Sequence, residues 1–248
     1  TAGSVILASV LLKMGTYGFF RFSYPLFPEA TRWFQPAMAV LAVIGIIYGG
    51  FVALAQTDFK KMVAYSSVSH MGFVLLGLAA LNANGFRGAM LQMFTHGTIT
   101  GGLFLLVGVL YDRAHSRDLN DFGGLGAKIP AYAGFLTFFA LASLGLPGLS
   151  GFISEFLALL GSYQYSRIVT ALATIGIILA ASYLLYTVQR LLLGKFNPKW
   201  DGLSDIRTRE VMTLVPLMVL VLWIGLYPRI ILDYMIPTLD ALLKTLKV

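Results

Sequence analysis

Cysteine is absent from the 248 residues, which removes disulfides, thiolate metal sites and iron–sulfur ligation from consideration. Charge is scarce: 12% of residues are Asp, Glu, Lys or Arg, against about 25% in soluble domains. No Walker loop, no dinucleotide glycine fingerprint after a strand and no zincin motif occurs. Alternating apolar and polar strands of the outer-membrane type are missing too, which argues against a barrel. Low-complexity tracts and sequence-level repeats are not seen. Any redox chemistry therefore belongs to a partner.

What remains is apolar. Hydrophobic residues make up 58% of the chain, and runs near the ~20 residues needed to cross a bilayer fall at 3–22, 36–56, 62–82, 88–111, 130–162, 168–194 and 210–232. The expected fold is an all-α polytopic membrane bundle over 1–232, of about seven spans, followed by an amphipathic tail over 233–248 lying on the membrane surface. The stretch 130–162 is too long for one span, about 50 Å of helix against ~30 Å of hydrocarbon. It holds Leu146-Pro-Gly-Leu-Ser-Gly151 in its middle, so a discontinuous helix is expected there. Broken helices survive in a bilayer only where protein or a hydrated cavity satisfies the freed backbone, and they point to ion or substrate sites.

The net charge of +7 sits in the connectors. One side receives Lys60, Lys61, Arg113, Arg117, Lys128, Lys195, Lys199, Arg207 and Arg209; the other receives Arg32, Arg87, Arg167, Arg229, Lys244 and Lys247. This bias reads as topology control with the first side cytoplasmic, and not as nucleic-acid binding. A bacterial plasma membrane is expected rather than a mitochondrial inner membrane. The chain opens Thr1-Ala-Gly-Ser4 with no initiator Met and no signal peptide, and is expected to be a piece of a longer or processed polypeptide.

Four ionisable groups fall inside the predicted spans, each on a different helix: Lys13, His70, His96 and Glu155. Lys13 is the most telling. The run Ala2 to Phe22 contains no acid to pair with it, and a bare ammonium at that depth costs roughly 2.5–3.5 kcal/mol. Each end of the run lies on the order of 15 Å away along a helix, beyond the ~6 Å reach of a lysine side chain. Such charges mark ion or proton paths by default. Glu155 lies just past the break, and low dielectric disfavours its charged form as it does that of Lys13; the alternative is a carboxylate facing a partner's cation or a lipid headgroup. Gln92, His96 and Thr100 share a face at i, i+4 spacing, a polar stripe suited to water. His96 and His70 are readily protonated near neutrality, though interhelical hydrogen bonding would also account for either. His115 belongs to a charged connector. Asp58, Lys60 and Lys61 form a polar turn, explained by capping and topology, with a gate or proton-entry contact as the minor reading.

The segments Leu11-Leu-Lys13-Met-Gly-Thr-Tyr-Gly18, Ala55-Gln-Thr-Asp58-Phe-Lys-Lys-Met-Val-Ala-Tyr-Ser-Ser-Val-Ser-His70-Met-Gly72, Met93-Phe-Thr-His96-Gly97 and Gly145-Leu-Pro-Gly-Leu-Ser-Gly-Phe-Ile-Ser-Glu155-Phe156 resemble the antiporter-like membrane subunits of respiratory complex I, of the chain M or subunit 4 type. The resemblance runs across essentially the whole chain. It implies the second of two inverted repeats, with Lys13 as the central-axis lysine, His70 and His96 as histidines of the hydrophilic axis, and Glu155 as the terminal acid. The family's first repeat, with its own Glu–Lys pair and broken helix, is not in this sequence, so the remainder of the path is expected from elsewhere.

The function so implied is proton translocation within an NADH:quinone oxidoreductase. FMN, iron–sulfur clusters and quinone would sit in partner subunits, with no cofactor in this chain. Neighbouring membrane-arm subunits, other antiporter-like subunits among them, and lipid would be its contacts. Two rivals stay open: a subunit of a multisubunit Na+/H+ antiporter or membrane-bound hydrogenase, and a structural or assembly fragment with no pumping of its own.

Overall fold

The computed structural model describes residues 2–246; Thr1 and Lys247, named above in the opening and the tail, lie outside them. Among the described residues nine main helices follow one another: α1 Ala2–Leu26, α2 Pro28–Leu54, α3 Phe59–Ala79, α4 Ala83–Ala114, α5 Pro130–Ser143, α6 Ser150–Tyr165, α7 Arg167–Leu192, α8 Thr208–Leu226 and α9 Arg229–Thr245. Of these, α1, α2, α3, α4, α7 and α8 are long and apolar enough to cross a membrane. Helices α5 and α6 form the broken pair. The protein is an integral, multi-span helical membrane protein.

Local chemistry sets the helix limits. Asp58 caps α3 by accepting from the Lys61 amide, Asn82 caps α4 through the Gly85 amide, and Ser166 caps α7 through the Val169 amide. Proline opens α2 and α5, where its missing N–H costs nothing. Helix α2 starts eight residues before the apolar run does, because its first turns carry Glu29 and Arg32, which hydropathy alone excludes. The last span ends at Leu226, short of 232: the chain turns at Tyr227 and Pro228, and the amphipathic helix starts at Arg229.

Between α5 and α6 the chain leaves the helix over residues 144–149, with Gly145 at φ +84° and Gly148 at φ +92°. Only glycine takes such angles without penalty. Helices α4 and α6 then meet at close range. A Cβ on Gly88 would lie 2.3 Å from the Ala158 nitrogen, so the contact exists only because Gly88 has no side chain.

The connectors at the basic end are tied into one mat. Phe59 N donates to Arg117 O (2.8 Å), Leu119 N to Thr57 O (2.8 Å), Gly124 N to Leu193 O (3.0 Å) and Trp200 Nε1 to Asp121 O (2.8 Å). Asp205, from the α7–α8 connector, accepts from the Ala131 and Tyr132 amides at the start of α5. At the opposite end Arg87 of α4 pairs with Asp240 of α9. One apolar core, with Phe59, Leu106, Leu125 and Tyr132, fills the basic half; a second, with Phe20, Tyr24, Phe86 and Leu239, fills the other. His70 and His96 stand near the midpoints of their helices, in a polar layer at the height where the chain is broken.

Candidate functional site: a row of buried ionisable groups

The row begins on α1, which has a wide, π-type turn at Leu7–Leu11. Such turns leave a carbonyl without its usual i+4 partner and occur often at functional sites. The Lys13 ammonium nitrogen uses this, donating to the Ala8 carbonyl oxygen. Among the described residues no acid forms an ion pair with it. Its other contact is His96 Nδ1, at 2.7 Å, and Lys13 is only 8% exposed. Beside it, an open apolar groove of about 570 Å³ runs between α1 and α4, with Met14, Tyr17, Met90 and Met93 on its walls.

An ammonium has donors only, so with Lys13 charged His96 Nδ1 accepts and the ring carries its proton on Nε2. His96 Nε2 is buried and has no hydrogen-bond partner among the described residues. His96, His70, Gln92, Ser143 and Glu155 together line a cavity of about 10 Å³. That is room for one water. The two imidazole rings are 5.5 Å apart between centroids and do not bond directly.

On the far side of the cavity, His70 Nδ1 lies 2.7 Å from Glu155 Oε1. The same carboxylate oxygen accepts from Gln92 Nε2 at 3.1 Å. The Gln92 amide is held in that orientation because its own oxygen accepts from the Ser154 and Thr95 hydroxyls. His70 Nε2 faces two hydroxyls, Tyr183 at 3.1 Å and Ser143 at 3.2 Å. Helices α1, α3, α4, α5, α6 and α7 thus each contribute one or more groups.

The four residues singled out in the sequence all meet here: Lys13 and His96 touch, His70 and Glu155 touch, and one small cavity adjoins both pairs. Of the expected polar stripe, Gln92 and His96 belong to the row, whereas Thr100 is buried and lies outside the cavity lining. His115 ends α4 in a left-handed conformation, away from the row. Three participants were not anticipated: Tyr183, Ser143 and the Ala8 carbonyl. Tyr183 stands with Ser182 in the otherwise apolar run Ile175–Leu185, a signal that could have been read; the other two depend on backbone geometry.

Comparison with known proteins identifies the family of the chain. Residues 1–180 match the family described as NADH:quinone oxidoreductase/Mrp antiporter, TM. The chain is 46% identical over 245 residues to NADH-ubiquinone oxidoreductase chain 4 of Marchantia polymorpha, covering 98% of this chain and 50% of that one. It is 46% identical to NADH-quinone oxidoreductase subunit M of Rhodobacter capsulatus, covering 98% and 48%. Among solved structures, a chain of respiratory complex I from Thermus thermophilus superposes with a TM-score of 0.89 at 36% identity, over 95% of this chain and 50% of that one. A chain of the Mrp complex from Dietzia sp. superposes at 0.82 with 19% identity, over 94% and 53%, a likeness of fold. The chain spans about half the length of the curated relatives it matches and corresponds to their C-terminal half. It belongs to the NADH:quinone oxidoreductase/Mrp antiporter transmembrane family.

Proposed function

We propose that this chain moves protons across its membrane as part of an NADH:quinone oxidoreductase, through the row Lys13–His96–His70–Glu155. The observation that carries the reading is the near-continuous contact: 2.7 Å from Lys13 to His96, one water-sized cavity, and 2.7 Å from His70 to Glu155. Oxidation of NADH and reduction of quinone would take place on flavin, iron–sulfur clusters and a quinone site in partner subunits. Neighbouring membrane-arm subunits, antiporter-like ones among them, would supply the rest of the path. The membrane proposed is a bacterial plasma membrane, though relatives of equal identity come from Rhodobacter capsulatus and from Marchantia polymorpha.

In this reading the work done here is electrostatic. A positive charge arriving beside Lys13 drives its proton to His96 Nδ1. His96 releases its Nε2 proton to a water in the cavity, which passes one through the Ser143 hydroxyl to His70 Nε2. His70 gives its Nδ1 proton to Glu155 Oε1. Each step breaks one N–H or O–H bond and forms another. A unit charge brought to ~6 Å at an effective dielectric of ~20 is worth about 3 kcal/mol, while a tenfold change in proton affinity takes about 1.4 kcal/mol. Opening or closing one ion pair nearby is therefore enough to reset a site.

The row also favours H+ over Na+. Sodium needs several oxygen ligands, but the ionisable groups of the row are an ammonium, two imidazoles and one carboxylate whose Oε1 already accepts twice, and the Gln92 oxygen is taken by the Ser154 and Thr95 hydroxyls. Among the described residues no group of three or more His, Asp and Glu has the arrangement of a metal site. The test is Lys13→Ala and Glu155→Gln in the assembled complex. Retained assembly and quinone reduction with sharply reduced proton pumping supports the relay; assembled complexes that pump normally end it. Sodium-dependent proton movement without quinone reduction would move the chain to the antiporter class.

A further inference from the structure

His70 is held at both ring nitrogens, and only one of its partners is an acid. Nδ1 faces the Glu155 carboxylate, while Nε2 faces the Tyr183 and Ser143 hydroxyls. Ser143 lines the small cavity; Tyr183 does not. Tyr183 comes from α7, is 1% exposed, and has the His70 ring nitrogen as its hydrogen-bond partner. A buried phenol is kept only where it finds a partner, and packing alone would be served by phenylalanine.

We infer that Tyr183 is a positioning residue for proton passage: it pins the His70 ring so that Nδ1 stays on Glu155 and Nε2 stays toward the cavity. The inference rests on the relay reading above. A histidine that takes a proton at one nitrogen and releases it at the other conducts only while its ring keeps its orientation. A half-turn of the ring about its Cβ–Cγ bond would put carbon atoms where the two nitrogens stand, facing Glu155 and the two hydroxyls, and would break the passage. The hydroxyl suits the task because it works in both charge states. It donates to Nε2 when that nitrogen holds a lone pair, and accepts from it when it holds a proton; a carbonyl or an amide N–H could do only one of these.

The groups around His70 leave Tyr183 distinct. Helix α6 brings Glu155, α4 brings His96 and Gln92, α5 brings Ser143, and Lys13 of α1 acts from behind His96. Helix α2 packs against another face of α3, where Ser69 donates to the Ile46 carbonyl. From α7, Tyr183 reaches the His70 ring.

The test uses the assembled complex with Tyr183→Phe, which keeps the ring and removes the hydroxyl, and with 3-fluorotyrosine and 3,5-difluorotyrosine at the same position. Expected are unchanged assembly and quinone reduction, and pumping lowered roughly three- to tenfold in Tyr183→Phe, the equilibrium weight of one neutral hydrogen bond. The fluorinated residues strengthen the donor with little change in size. They are expected to move the midpoint of the pH profile of pumping progressively to lower pH, which a tyrosine present only for packing would not do. If Tyr183→Phe pumps normally and fluorination leaves the profile in place while Glu155→Gln abolishes pumping, the assignment of Tyr183 is wrong and the relay stands. If Glu155→Gln and Lys13→Ala also pump normally, the relay reading falls and this inference with it.

Discussion

His70 Nδ1 and Glu155 Oε1 meet at 2.7 Å with their side chains 2% and 6% exposed, a contact between two helices at the level where one of them begins. Removing one member of such a pair and neutralising it are different experiments. Glu155→Ala leaves His70 and Gln92 without their shared acceptor and is expected to destabilise the folded chain by about 3–5 kcal/mol, as for other buried pairs. Glu155→Gln keeps the shape and an oxygen acceptor. The yield of intact complex should therefore fall for the alanine and hold for the glutamine, while pumping is lost in both. Equal yields would show that the pair has no structural part.

The Gly88 contact gives a prediction about packing. A methyl group at 88 has the Ala158 nitrogen 2.3 Å away and backbone on every near side, so Gly88→Ala forces α4 and α6 apart. Overpacking of this kind costs typically 1–3 kcal/mol. The expected readout is a lower thermal unfolding midpoint together with impaired pumping, since Gln92 and Glu155 lie on those two helices. An unchanged midpoint would contradict the close approach.

Gly148 isolates the backbone. Its φ is +92° and a Cβ there would meet nothing within 4 Å, so Gly148→Ala adds strain of about 1–3 kcal/mol without a clash. Destabilisation without loss of the hydrogen bonds around Glu155 is expected, measured by thermal unfolding and by histidine protection from hydrogen exchange. At Gly151 the same substitution meets the Ala142 carbonyl oxygen at 2.3 Å and should be worse.

Asp205 caps a helix it does not belong to. Its two carboxylate oxygens accept from the Ala131 and Tyr132 amides at 2.9 and 3.0 Å, where the start of α5 is electropositive. Asp205→Ala is expected to cost about 0.5–2 kcal/mol, read as a lower unfolding midpoint, and Asp205→Asn to recover part of it. If neither variant shifts the midpoint, the cap contributes nothing.

The Lys128–Asp201 pair in the same mat should be weak and acid-sensitive. The hydrogen bond from Lys128 lowers the Asp201 carboxyl below its ordinary range. A lowered folded-state value means that its stabilisation is present above the unfolded carboxyl range and disappears as pH falls through the folded one. Asp201→Asn should flatten that acid limb of the stability curve slightly and leave neutral pH almost unaffected, since the group is solvent-exposed.

Much of this was legible in the residues themselves. A lysine among apolar neighbours, a proline flanked by glycines inside an overlong run, and lone acids and histidines in spans all carry costs that a membrane protein does not bear idly. Which of them touch was not legible. Lys13 and His96 are far apart in sequence, and their meeting depends on α1 lying against α4, where Ser9 bonds the Gly97 carbonyl. Tyr183 was missed because a single tyrosine in an apolar helix passes for an interfacial or packing residue. The Ala8 carbonyl could not be seen at all: a widened turn has no side-chain signature. The early start of α2 and the end of α8 at Leu226 escaped because hydropathy registers bilayer depth, whereas helices continue into polar turns or stop at a proline.

The 5.5 Å between the two imidazole centroids sets the traffic rule for such a row. Two cationic rings at that separation repel by about 3 kcal/mol at an effective dielectric of ~20, enough to make double occupancy rare. Under the proposed relay a second passenger would wait until the first has left His70 for the carboxylate. The row would then act as a turnstile admitting one at a time, its throughput set by how quickly His70 empties onto Glu155.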